Sequence, residues 1–203
     1  MAYKDNRKYI EALEKTRDVV RIKKEVDWDN EVGGIVRRAN ELRAPATFFE
    51  KIKDYSSDYR ILGGPITTER RLNVAFGFPP ENHLKALYEE YEKRIANPVK
   101  PVIVKDGPCK ERVFTGKDVD LFSFPVPMVH DGDGGRYFGT WHIVIVRDPD
   151  SDWTNWGMYR AMVHNRRSVS ILLSMSNDAG RIYFTKFASQ KKPMPIAMAI
   201  GAD

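Results

Sequence analysis

Between positions 139 and 173 one strand pattern follows another, and this run limits the possible folds more than any other feature. Gly139-Thr140-Trp141-His142-Ile143-Val144-Ile145-Val146 is rich in branched and aromatic residues, the composition of a pleated, half-buried surface. Asp148-Pro149-Asp150-Ser151-Asp152 then supplies a turn. Further strands are expected at 153–163 and 168–173, with Asn165-Arg166-Arg167 as the hairpin loop. No helical pattern intervenes until 179–189, marked by Ile182, Tyr183, Lys186 and Phe187, and 194–200 returns as a last strand. Strands in series without helices between them predict an antiparallel, barrel-like sheet rather than a doubly wound one.

The first half mixes both periodicities. Asp5 or Asn6 caps a helix with Tyr9, Ile10 and Leu13 at helical spacing. Val19, Val20, Ile22 and Val26 predict a strand. Asp29 or Asn30 opens a second helix, striped by Val32, Ile35, Val36, Ala39 and Leu42 and closed by Pro45. Strands are expected at 46–52 and 59–62, the second ended by Gly63-Gly64-Pro65. A third helix follows Pro79-Pro80, with Leu84, Leu87, Tyr88, Tyr91 and Ile95 along one side. Asn97-Pro98 and Lys100-Pro101 then break the chain, and the domain boundary is expected there, between 1–100 and 101–203. Beyond it, 101–104 and 112–114 read as short strands, and Phe122, Phe124, Pro125 and Pro127 as an extended stretch.

Composition narrows the function classes. The 203 residues carry 33 Lys and Arg against 28 Asp and Glu, a net charge of +5. Basic pairs such as Arg70-Arg71 and Arg166-Arg167 never extend into a run of five, which argues against nucleic acid and fits an anionic small-molecule partner. No apolar run approaches the ~18–20 residues of a membrane helix. The opening Met1-Ala2-Tyr3-Lys4-Asp5-Asn6 lacks the apolar core of a secretory leader, and the single cysteine, Cys109, suits a reducing cytoplasm.

Several segments bear on chemistry. In His130-Asp131-Gly132-Asp133-Gly134-Gly135-Arg136-Tyr137 the acids are spaced like half of a calcium loop without its glutamate; the segment reads as a flexible loop or one that folds over a ligand. His83, His130, His142 and His164 lack zinc-site spacing, and His142 reads as a packed or sheet-face histidine. Cys109 has no histidine close by in sequence, and no Gly-x-Ser-x-Gly elbow is present. Asp152-Trp153-Thr154-Asn155-Trp156-Gly157-Met158-Tyr159-Arg160 is polar and aromatic where a plain strand would alternate. Its Asn155, Gly157 and Arg160 place an oxygen ligand, an open backbone position and a cationic fork on one stretch, able to hold a hard metal ion with a phosphorylated cofactor. The same run also suits an amphipathic strand packed by tryptophans.

That run resembles the prenylated-flavin-binding signature of the UbiD-type decarboxylases. The resemblance extends to the segment from Asp118 through Asp120, Phe122 and Pro125 to Pro127, to the His130-to-Tyr137 loop, and to the tail Lys192-Pro193-Met194-Pro195 through Gly201-Ala202-Asp203. It implies an α+β fold: an N-terminal mixed α/β domain, then the first part of a split β-barrel flavin-binding domain. It implies non-oxidative decarboxylation, or the reverse, of an aromatic or α,β-unsaturated carboxylic acid, or of a thioester-bearing aromatic acid, with prenylated FMN and a divalent metal, usually Mn2+. Asn155 matches the metal-ligating asparagine, Met158, Tyr159 and Arg160 match the strand on the flavin, and Arg160 matches the arginine of the catalytic Glu-Arg-Glu network. Trp156 corresponds to a residue offering its carbonyl to a monovalent cation such as K+, with Gly157 between these contacts. Asn177 and Asp178 lie where many members carry Gln-His or Ser-His; Asp178 is either a carboxylate metal ligand or a helix cap. The acid–base glutamates and a third metal ligand are expected downstream of Gly201-Ala202-Asp203. Partners implied are a homo-oligomer or a second polypeptide supplying that part, and a prenyltransferase supplying the flavin. Two rival readings remain: a partial, non-catalytic subunit, and a split-barrel flavin reductase.

Overall fold

A computed structural model describes residues 3–201; Met1-Ala2 and the closing Ala202-Asp203 of the tail motif lie outside the described residues. Helix α1 (Asn6–Lys15) is capped by Asp5, whose carboxylate accepts from the Lys8 backbone N–H at 2.9 Å. Strand β1 (Val19–Ile22) pairs in parallel with β2 (Ala46–Phe49), the crossover being α2 (Glu31–Glu41), and β3 (Ile61–Gly63) joins β2 antiparallel. Every residue of β2 is buried, because its alternating side chains meet helices on both faces. Ala46 packs with Tyr9 and Leu13 of α1 and with Val74, while Phe49 packs with Val26, Val32 of α2 and Ile52.

Several expectations here shift. Val26 lies outside β1 and bridges to Ile52, and Leu42 is exposed because α2 ends before its stripe completes. A helix absent from the sequence reading, α3 (Glu69–Phe76), starts at Thr68, whose hydroxyl accepts from Arg71 N–H at 3.3 Å, and ends at Gly77 with φ 84°. In α4 (Leu84–Ala96) only Leu87 is buried, while Tyr88, Tyr91 and Ile95 face outward. The strands expected at 101–104 and 112–114 do not form: Val102, Ile103, Val104, Val113 and Phe114 are exposed in irregular chain. Pro98, Pro101 and Pro108 remove ladder donors there, leaving runs too short to pair.

The second half holds β4 (Tyr137–Gly139), β5 (His142–Arg147), β6 (Thr154–Gly157), β7 (Ala161–Asn165), β8 (Ser168–Ile171) and β9 (Ala197–Ile200). They form two antiparallel three-stranded sheets, ordered β4-β7-β8 and β6-β5-β9. The strand expected at 153–163 therefore splits at Met158-Tyr159-Arg160, and its two ends enter different sheets. The second half is antiparallel, as expected, although neither sheet closes on itself among the described residues. Helix α5 (Asp178–Ile182) widens into a π turn over Tyr183–Phe187 and a tight turn at Ala188–Gln190 where one regular helix was expected. Its Ala179 and Ile182 pack on Val144 and Val146 of β5.

Backbone hydrogen bonds stitch the halves together, from Asn30 N–H to Met128 and from Met128 N–H to Trp28. Arg136 lies 3.8 Å from the Trp28 ring and donates to the Tyr55 hydroxyl at 2.6 Å and to the Val126 carbonyl. A Cβ at Gly33 would collide with the Val129 carbonyl, so glycine permits this close approach. Among the described residues no helix is long and apolar enough to cross a membrane.

Candidate functional site

The split at 158–160 builds the site. In the β5–β6 register Val146 faces Asn155 and Val144 faces Gly157, so Asn155 shares the face on which α5 packs, and it is 8 % exposed. Asn177 caps α5, its side-chain oxygen accepting from Gly180 N–H at 2.8 Å. The cap therefore falls on Asn177, and Asp178 is the first helical residue. Asp178 pairs with Arg181 at 2.7 Å through one carboxylate oxygen and accepts from the Asn155 amide at 3.5 Å through the other.

Tyr159 ties these elements together. Its hydroxyl donates to Asn155 Oδ1 at 2.9 Å and accepts from Ala179 N–H at 3.2 Å. Gly157 makes room for that ring, since a Cβ there would meet Tyr159 Cε2 at 2.6 Å. Beside this cluster lies an open cleft of about 440 Å³ lined by Thr140, His142, Met158, Tyr159, Arg160, Leu172 and Asn177. That volume falls within the roughly 300–1,000 Å³ of small-molecule sites. Arg160 is exposed and, among the described residues, forms no ion pair. Met158 and Trp156 are largely exposed.

The eight residues singled out from the sequence thus lie on one strand end, one crossover and one helix start. Asn155, Tyr159, Asn177 and Asp178 are joined directly or through α5, Arg160 and Met158 line the cleft, and Trp156 points away from the buried face. Sequence reasoning gave no role at the cleft to Thr140, Leu172 and His142. His142 is 5 % exposed and neither ring nitrogen makes a well-formed hydrogen bond. Burial pushes its imidazole below the ordinary histidine range, against a smaller opposing pull from the Tyr159 backbone. The available signal was a polar residue in the buried phase of an otherwise apolar strand.

The donor types, an amide oxygen on Asn155 and a carboxylate on Asp178, suit a hard divalent cation, although here the Asn155 NH2 faces Asp178 and its Oδ1 accepts from Tyr159, so the amide would have to turn over to bind one. The pair supplies two ligands, and among the described residues no group of three His, Cys, Asp or Glu side chains converges. The cleft suits an anionic ligand, with Met158 and Leu172 as apolar wall, four uncharged polar side chains (Thr140, His142, Tyr159 and Asn177) and, in Arg160, one cation without a carboxylate partner among the described residues.

Comparison with known proteins places the chain in a family. Residues 100–203 match the 3-octaprenyl-4-hydroxybenzoate carboxy-lyase Rift-related domain, and residues 10–91 match the N-terminal domain of the same carboxy-lyases. The chain belongs to this UbiD family. It is 35% identical over 206 residues to pyrrole-2-carboxylic acid decarboxylase of Pseudomonas aeruginosa, covering 98% of this chain and 41% of that one. Its fold matches the closed form of vanillic acid decarboxylase from Sedimentibacter hydroxybenzoicus, with TM-score 0.91, 32% identity and coverage of 98% and 43%. An evolved dimeric form of the UbiD-class enzyme HmfF from Pelotomaculum thermopropionicum, in complex with prFMN, superposes with TM-score 0.86, 26% identity and coverage of 98% and 45%. The chain thus spans less than half the length of these relatives.

Proposed function

We propose that this chain forms the N-terminal domain and part of the flavin-binding domain of a reversible, non-oxidative decarboxylase acting on an aromatic or α,β-unsaturated carboxylic acid. The domains meet at the proline-broken segment 97–101, and the two sheets belong to a split barrel. The observation that carries the reading is the Tyr159 hydroxyl linking buried Asn155 to the start of α5, beside a cleft that presents Arg160.

Asn155 and Asp178 are the metal-binding pair, for Mn2+, and the Trp156 carbonyl is available to K+. Met158, Tyr159, Gly157 and Asn177 shape the surface on which prenylated FMN lies. That flavin, when bound, supplies an electron sink for the pair left behind as carbon dioxide departs. Arg160 holds the substrate carboxylate by a charge-assisted fork and orients the acid groups that return the proton. Those acid groups are the family's glutamates, supplied from outside residues 1–203 by a longer chain or a second polypeptide in an oligomer.

The test is anaerobic titration with prenylated FMN and Mn2+, wild type beside Asn155→Ala and Arg160→Ala. Saturable binding weakened by both substitutions supports the reading. Full-strength binding in both variants refutes the assigned site, and turnover restored by a separate polypeptide would establish a two-part enzyme.

A further inference from the structure

One buried polar group beside the cleft is left without a role. His142 begins the row His142, Val144, Val146 that β5 turns toward α5, and its two neighbours in that row are apolar and almost fully buried. Extending the Val144–Gly157 register by two residues sets His142 opposite Tyr159, at the point where β6 has ended and the chain crosses to β7. The ring lines the cleft with Thr140, Tyr159 and Arg160, yet both nitrogens are shut from water without a well-formed partner. Leaving a buried donor unsatisfied is unfavourable, and valine or leucine at this position would avoid that penalty.

We propose that His142 is a positioning residue: its imidazole N–H holds the Tyr159 carbonyl and so fixes the crossover Met158-Tyr159-Arg160 that presents Arg160 to the cleft. Residues 158–160 lie between the two sheets and outside both ladders. The Tyr159 side chain is anchored by Asn155 and Ala179, so restraining the carbonyl of the same residue leaves the crossover little freedom. The Tyr159 backbone favours the protonated imidazole, as an acceptor beside the ring does, while burial keeps the ring neutral with one N–H to donate. In this arrangement the aim of Arg160 depends on a residue that holds the backbone of the crossover.

The test compares wild type, His142→Leu and His142→Gln by amide hydrogen exchange at 158–161 and by affinity for FMN. In His142→Leu, exchange at 158–161 accelerates about tenfold, the loss expected for one hydrogen bond, while the amides of Val144 and Val146 keep their protection. His142→Gln, whose amide N–H reaches a carbonyl, restores most of it, and FMN affinity follows the same order. Wild-type exchange in the leucine variant, or no rescue by glutamine, overturns the proposal. Imidazole 15N spectra of the unmodified protein give a variant-free check: one neutral tautomer with a solvent-protected N–H is expected, and a freely exchanging ring overturns it. The FMN arm alone rests on the flavin reading; absence of FMN binding in every form would count against that reading, while exchange and 15N shifts still decide the role of His142.

Discussion

The β1–β2–β3 sheet and the β6–β5–β9 sheet have the same number of strands and opposite burial. The first is covered on both faces, so β2 is buried at all four positions. The second is covered by α5 on one face, leaving Trp156 and Met158 in solvent while Asn155 and Val144 are buried. A sheet covered twice can use its interior only for packing, whereas one covered once has a rim where polar side chains reach both core and solvent. The candidate site sits at that rim.

The contrast can be broken first where packing is greatest. Phe49→Ala should destabilise by about 3–5 kcal/mol in denaturant unfolding, whereas the exposed Trp156→Ala should stay within about 0.5 kcal/mol. Equal effects would mean that the two sheets are covered alike. Arg136→Ala, at the seam between the halves, is expected to cost about 2–4 kcal/mol from the lost ring contact and charged hydrogen bonds. Separate melting of the halves in that variant, followed by calorimetry, would locate the loss at the seam. Tyr159→Phe should cost about 1–2 kcal/mol, since Asn155 Oδ1 and the Ala179 N–H lose their partner, and it should weaken flavin and metal binding together. Unchanged binding would detach Tyr159 from the site.

The smallest expected signal is a pH dependence. Burial lowers the folded-state pKa of His142 from 6.5, so below about pH 6.5 the unfolded chain binds more protons than the folded one. The stability tied to the neutral ring is therefore complete above that pH and declines as pH falls through the folded-state value. His142→Gln should flatten this part of the stability–pH curve, while an unaltered curve would show that His142 is not its source.

Local pattern was legible wherever one side chain or one period decided the outcome. The cap at Asp5, the apolar stripe of α1, the strand at β5 and the turn at 148–152 all follow from nearest neighbours in sequence, as did the gathering of Asn155 through Arg160 on one stretch. Other features depended on distant partners. Helix α3 is short and buries Arg71 and Asn73, so its periodicity is masked by polar residues whose partners, Ala44 and Asn82, lie elsewhere in the chain. The extended run at 101–104 has strand composition but finds no partner strand among the described residues, and a ladder needs two.

By itself, the sequence determined the strongly patterned elements such as α1, α2 and β5, the antiparallel character of the second half and the chemical types available to the site. The tertiary structure alone decided that 153–163 divides between two sheets, that Asn177 rather than Asp178 caps α5, and that His142 is buried beside the crossover. The reason is physical: propensity and periodicity act within a few residues, whereas pairing, burial and hydrogen-bond satisfaction depend on which distant surfaces meet.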